Sequence, residues 1–308
     1  MSQTSINFPY AYFIKLGRNG KWEKDCLEKS QTLRLSYDEV PHDLCIRQRW
    51  DEVQDFLETI GNDTGAATRH KNQIRLFYEA DENSLWITFF GDRLYWCFSK
   101  PEIEKLSDDS KTRPAIGGWK SVDINDNPLQ KAQLSGALLT VQGFRGTICQ
   151  VKEHAYLRRK INGIVQPDVE AALIAQAEFE IRIEALIRKL NWKDFELLID
   201  LIFRQAGWQR LSVIGKAEKT IDLDLLYPIT NERFLVQIKS SAGQQELETF
   251  RIRMSEYQDF SRAYFIVHSP STKLDVSEID DVEVWLLKEV AHRVVLYGLA
   301  DWVIGKVA

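Results

Sequence analysis

The first half of the chain reads as short apolar strands rich in Trp and Tyr, separated by turns. Residues 10–16 (YAYFIKL) predict a strand that ends in the turn GRNG. Residues 49–61 carry Val53, Phe56, Leu57 and Ile60 at helical spacing and close on Gly61. Residues 73–80 (QIRLFYEA) predict a strand. Residues 84–98 predict a hairpin, two aromatic runs joined by Gly91-Asp92. Residues 118–123 and 134–151 predict further strands broken by glycines. Many short strands with one or two helices imply a small mixed barrel.

The pattern changes at Pro167. Residues 168–190 form a long run of good helix formers, predicted to connect two domains. Residues 191–208 predict a helix capped by Asn191 and stopped by Gly207. Its buried stripe is Phe195, Leu198, Ile199, Ile202 and Phe203. Strands follow over 211–215, 220–228 and 233–241, then a helix over 244–260. Two more strands (262–269 and 282–288) precede a last helix over 289–307. This order predicts an α/β domain with a mixed sheet flanked by helices, in a chain that is mixed α+β overall. The expected division is 1–155, a helical linker over 156–190, and 191–308.

A length of 308 residues agrees with two domains. The net charge of -5 gives no whole-molecule basic field, although a local basic groove remains compatible with it. The opening ten residues lack a charged start followed by a long apolar run, so no signal peptide or membrane span is expected. Cys26, Cys45, Cys97 and Cys149 lack CxxC spacing and read as reduced thiols of a cytoplasmic protein. No HxxxH or HExxH occurs, which argues against a structural zinc or a zinc hydrolase.

The segment ERFLVQIKSS (232–241) holds the most informative chemistry. Phe234, Val236 and Ile238 share one face; Leu235, Gln237 and Lys239 share the other. A turn near Thr230 and Asn231 brings a strand with Asp222 and Asp224 beside Gln237 and Lys239. Glu196 lies at the edge of the apolar stripe on the preceding helix. Carboxylates and an amide oxygen suit a hard divalent cation, and a lysine suits the charge that develops on phosphorus. The same residues also fit an edge strand with one solvated, charge-paired face.

Phe195-Glu196, Gly207-Trp208, Ile221-Asp222-Leu223 and Val236-Gln237-Ile238-Lys239 together resemble the Mrr-type branch of the PD-(D/E)xK nucleases. The resemblance spans roughly residues 190–290 and implies a restriction-endonuclease-like fold. It implies Glu196, Asp222, Gln237 and Lys239 as the catalytic set. It also implies Mg2+ or Mn2+ held by Asp222, Gln237 and Glu196, with Asp224 as the alternative aspartate. Two departures stand out: AEKT precedes the Asp where many Mrr-type sequences are Gly-rich, and a second acidic residue, Asp224, leaves open which aspartate binds metal, with Asp222 favoured by the Ile221-Asp222-Leu223 pattern.

The first half resembles PUA-like domains of the EVE and YTH type through its opening aromatic strand, its hairpin and its short strands. That resemblance implies capture of a flipped or modified base by aromatic faces. Trp22, Trp119 and Tyr12 are the expected stacking residues, and Arg145 an expected phosphate contact. Trp86 and Trp96 are expected in the core instead. The combined expectation is a Mg2+-dependent endonuclease of restriction or phage defence that acts on double-stranded DNA, modified or otherwise marked. A homodimer or higher assembly follows from the need to cut two strands. The alternative is a sensor that binds nucleic acid on a nuclease fold without cutting.

Overall fold

The computed structural model describes residues 5–211, 221–257, 260–277 and 282–308. The chain divides into two units, Met1–Gln166 and Pro167–Ala308. In the first unit the strands are β1 (Ala11–Ile14), β2 (Thr32–Leu35), β3 (Leu85–Phe90), β4 (Arg93–Ser99), β5 (Glu104–Lys105), β6 (Lys111–Lys120) and β7 (Ile148–Gln150). The helices are α1 (His42–Ile46), α2 (Trp50–Thr59), α3 (Thr64–Glu79), α4 (Gly136–Leu139) and α5 (His154–Ile161).

Gly91-Asp92 turns β3 back onto β4 as the pattern predicts, pairing Phe90 with Arg93. The resulting curled half-barrel sheet runs β2-β6-β4-β3-β1-β7, with β5 on β6. Alternation along β1 and β3 feeds two cores. Ala11, Phe13, Leu85 and Ile87 join Leu157 and Ile161 of α5 on one face. Tyr12, Ile14 and Trp86 join Phe77 of α3 on the other.

Two expectations fail here. Residues 73–80 are the end of α3, not a strand. The side chain of Asp63 caps that helix by accepting from the Ala66 N–H at 2.8 Å. Ala67, Ile74 and Phe77 then bury at helical spacing, which overrides the β-leaning Ile, Phe and Tyr. Residues 134–151 hold only one short strand, β7. The Ser135 hydroxyl caps α4 by accepting from Leu138 N–H, and a 3-10 turn follows at Thr140–Gly143.

The second unit contains α6 (Pro167–Ile187), α7 (Trp192–Gln205), β8 (Gln209–Arg210), β9 (Leu223–Tyr227), β10 (Glu232–Ala242), α8 (Gln244–Glu256), β11 (Arg262–Pro270), β12 (Val282–Trp285), α9 (Leu287–Leu296) and α10 (Ala300–Val307). The strand expected over 211–215 lies, beyond Leu211, outside the described residues. The single helix expected over 289–307 is broken at Gly298 into α9 and α10. The helix expected as a connector packs as part of this unit. Its Ile183 and Ile187 are buried with Val290 and Val294 of α9.

The sheet order is β12-β11-β10-β9-β8. β10 is antiparallel to β9 and parallel to β11. It is therefore an interior strand, covered on both faces. Phe234, Val236 and Ile238 pack with α7 and α9 residues. Leu235 packs with Leu247, Phe250 and Met254 of α8.

Candidate active site

The site begins with how α7 is anchored. Asn191 caps it by accepting from the Asp194 N–H at 3.1 Å. Phe195, Leu198, Ile199, Ile202 and Phe203 all bury, as their spacing predicts. This fixes the rotation of the helix and leaves Glu196 at the edge of the stripe. Asp200 lies one turn later on the same side.

The sheet supplies the opposing wall. The β9–β10 pairing runs to Leu223 with Val236. The Asp222 N–H continues it by donating to the Val236 carbonyl at 2.9 Å. The Asp222 carboxylate accepts from the Ile238 N–H at 2.6 Å. One aspartate thus clasps the middle of β10 with both its main chain and its side chain. Glu196 and Asp222 meet across a cavity of about 280 Å³, lined also by Lys193, Asp200, Arg210 and Ile238.

The second aspartate is used differently. Asp224 is held by a two-pronged pair with Arg233, at 2.8 and 2.6 Å, and does not line this cavity. Gln237 follows Val236 on β10, on the face opposite Ile238, and is 4% exposed. Lys239 lies two residues on and is half-buried. Neither lines the cavity of Glu196 and Asp222. An edge strand with a wet face does not describe this place, because β10 is interior and Gln237 is buried.

The Glu196 carboxyl has its pKa raised above the ordinary glutamate value. Burial is the larger cause and the negative charge of Asp222 the next, with Lys193 opposing. The folded protein therefore binds this proton more tightly than the unfolded chain does. The resulting stability is present below the unfolded pKa and is lost as pH rises through the raised one. Without divalent ions, NMR of the side-chain carboxyl should show Glu196 titrating above an ordinary glutamate. Lys193→Ala should move that titration higher still, since Lys193 opposes the shift. A titration at the ordinary value, indifferent to Lys193, contradicts this.

Lys193, Asp200 and Arg210 escaped the sequence reading. Asp200 was legible as Glu196 plus four on a helix whose buried stripe was known. Arg210 was not, since β8 has only two residues. Among the described residues no group of three or more His, Cys, Asp and Glu is placed to hold a metal ion. No described helix is long and apolar enough to cross a membrane.

The aromatics expected to stack on a base are packed instead. Tyr12, Trp22 and Trp119 belong to one core and are each under a tenth exposed. The neighbouring glycines serve close packing and not an opening. Gly17 has φ +84°, and a Cβ there would lie 2.9 Å from the Trp22 ring. Gly118 has φ +77°, and a Cβ there would lie 2.7 Å from the Gln31 amide oxygen, which accepts from the Trp119 N–H. Lys21 and Arg34 cover the Trp22 ring, at 4.1 and 4.2 Å from its centre. Arg145 is exposed. One open cavity of this unit lies elsewhere, about 830 Å³, lined by Leu138, Val141, Phe144, Cys149, Gln150 and Lys152 among others.

Residues 187–290 match the Mrr_cat family model, described as a restriction endonuclease. The match covers about a third of the chain and supports an Mrr-like nuclease domain in the second unit. No curated protein and no solved structure matches the chain.

Proposed function

We propose that the chain is a metal-dependent DNA endonuclease of restriction or phage defence, with its catalytic centre at the cavity of Glu196 and Asp222. The observation that carries this reading is the meeting of those two carboxylates in one cavity, where burial first and the charge of Asp222 next raise the pKa of Glu196. Two mutually repelling carboxylates suit a site that receives a cation. Mg2+ usually takes one or two carboxylates and keeps water and substrate phosphate for its other positions, so the donor set fits it. Asp222 and Glu196 would hold the ion; Gln237, outside the cavity lining, is assigned as a third donor on the sequence pattern alone. When bound, the ion lowers the pKa of a water and offsets charge developing at phosphorus.

The remaining tasks fall to the chain. Asp222 is preferred over Asp224 because Arg233 already occupies the latter. Lys239 is assigned to orient the attacking water or to steady the phosphoryl charge. The first unit is proposed to select modified or otherwise marked duplex DNA. Its 830 Å³ cavity, apolar-walled with Phe144 and a few polar groups, suits an extruded base. Cutting both strands calls for two centres, hence a homodimer or higher assembly.

The test is cleavage of plain and modified duplex DNA by the full chain with Mg2+ or Mn2+, repeated with Lys239→Ala. Turnover that Lys239→Ala leaves intact sinks the catalytic set, and binding without turnover favours a non-cutting sensor. Gln237→Glu adds a carboxylate to a buried place. It should lower the thermal midpoint in chelator and make that midpoint more responsive to Mg2+ than in the parent. An equal Mg2+ response in both proteins removes Gln237 from the donor set.

A further inference from the structure

Arg210 and Asp200 line the same cavity as Glu196 and Asp222. Asp200 is 6% exposed, and one of its carboxylate oxygens is paired with Arg204 at 2.7 Å. The other, Oδ1, is buried and has no hydrogen-bond partner among the described residues. Buried acceptors are seldom left so. The cation it faces within the cavity is Arg210, whose guanidinium lies 3.9 Å away. The same guanidinium donates a long bond, 3.4 Å, to the main-chain carbonyl of Asp222. Arg210 is thus tethered from both walls, by α7 through Asp200 and by the sheet through Asp222. Its side chain stays half-exposed.

A guanidinium has five N–H donors in a planar fork. Asp200 and the Asp222 carbonyl engage its NH1 and NH2 nitrogens only loosely. Donors remain for a ligand at the mouth of the cavity. Arg210 is not needed to neutralise Asp200, which already pairs with Arg204. Its planar fork matches the two non-bridging oxygens of a phosphodiester.

We propose that Arg210, positioned by Asp200 and by the Asp222 carbonyl, clamps a phosphodiester of the bound strand at the mouth of the Glu196–Asp222 cavity. This rests on reading the second unit as a nuclease. Arg210 is the group that touches substrate, and Asp200 is a positioning residue that acts through it. Phosphate binding completes the fork and draws the guanidinium into full contact with Asp200 Oδ1.

The experiment uses the full chain and a duplex DNA, read in two ways. Without divalent ions, Kd is measured against salt concentration. With Mg2+, single-turnover cleavage is measured. Arg210→Ala should flatten the slope of log Kd against log salt by about one phosphate contact. It should also slow cleavage by about 10²-fold. Arg210→Lys should restore the slope but only part of the rate, because it keeps the charge and loses the fork. Asp200→Asn should slow cleavage with the slope unchanged, and should add nothing in the Arg210→Ala background. A merely structural role for Arg210 would leave the slope untouched. If Arg210→Ala matches the parent in slope and rate while Asp222→Asn is inactive, the clamp is wrong and the nuclease reading stands. If Asp222→Asn cuts as well as the parent, the catalytic centre is not at the Glu196–Asp222 cavity, and an unchanged slope for Arg210→Ala then overturns the clamp as well.

Discussion

Asp222→Asn is expected to slow single-turnover cleavage by about 10³-fold or more, on the order of 4 kcal/mol, with little change in thermal midpoint. The two effects separate because Asp222 does two jobs. Its main-chain N–H extends the β9–β10 pairing to Val236, and its carboxylate accepts from Ile238 N–H. An asparagine keeps an acceptor oxygen in the same place, so the clasp on β10 survives. The negative charge does not survive, and with it goes a carboxylate donor for a cation. The charge that helps raise the pKa of Glu196 also disappears. That pKa should move back toward the ordinary value, which can be followed by NMR of the side-chain carboxyl. Asp224→Asn is the comparison. It weakens the pair with Arg233, a loss of about 1 kcal/mol at a partly exposed place, and leaves turnover alone. Equal loss of turnover in both variants would undo the choice of Asp222.

The largest expected effect on stability lies in the other unit, at Arg113 of β6. Its side chain is fully buried, yet among the described residues its hydrogen-bond partners are main-chain carbonyls and not carboxylates. It donates to the carbonyls of Phe77 at 2.6 Å, Ala80 at 2.8 Å and Lys100 at 2.9 Å. Phe77 and Ala80 end α3, where unpaired carbonyls and the negative end of the helix dipole meet. The rings of Phe77 and Trp86 lie beside the guanidinium. Burial lowers its pKa to about 10, so it remains charged at neutral pH. Arg113→Met fills most of the volume and strands three carbonyls. The expected cost is about 3–5 kcal/mol, which lowers the midpoint of the first unit by on the order of 10 °C. Calorimetry of the full chain should show that unit's transition shifting while the nuclease transition stays. A cost below about 1 kcal/mol would mean water reaches those carbonyls.

How much of this was legible in the sequence depends on whether the signal was local. Asn191 and Gly207 bracket α7, and Gly91-Asp92 turns the β3–β4 hairpin. Each is short-range chemistry that sequence displays directly. The alternation of Phe234 through Lys239 was legible too, but not its meaning. Whether Gln237 faces water or protein depends on β11 pairing on its far side, more than twenty residues away. The Ile221-Asp222-Leu223 pattern already favoured Asp222 over Asp224; the pair that Asp224 makes with Arg233, which spacing does not reveal, adds to that preference. Trp22 and Trp119 misled for a related reason. A glycine beside an aromatic looks the same whether it opens a turn or lets the backbone close over the ring. In α3, Ile74 and Phe77 carried β-favouring identities at a helical period, and the period prevailed.

The burial of Ile183 and Ile187 in the nuclease core bears on how such chains are assembled over evolutionary time. The family match begins at residue 187, which would suggest a catalytic cassette that starts there. A fusion joined at that point would lose Ile183 from beneath α9, where leucine-sized losses typically cost 2–5 kcal/mol. Exchange of the first unit for another is expected to succeed only when the seam falls near Gln166 and Pro167, so that α6 is inherited with the second unit.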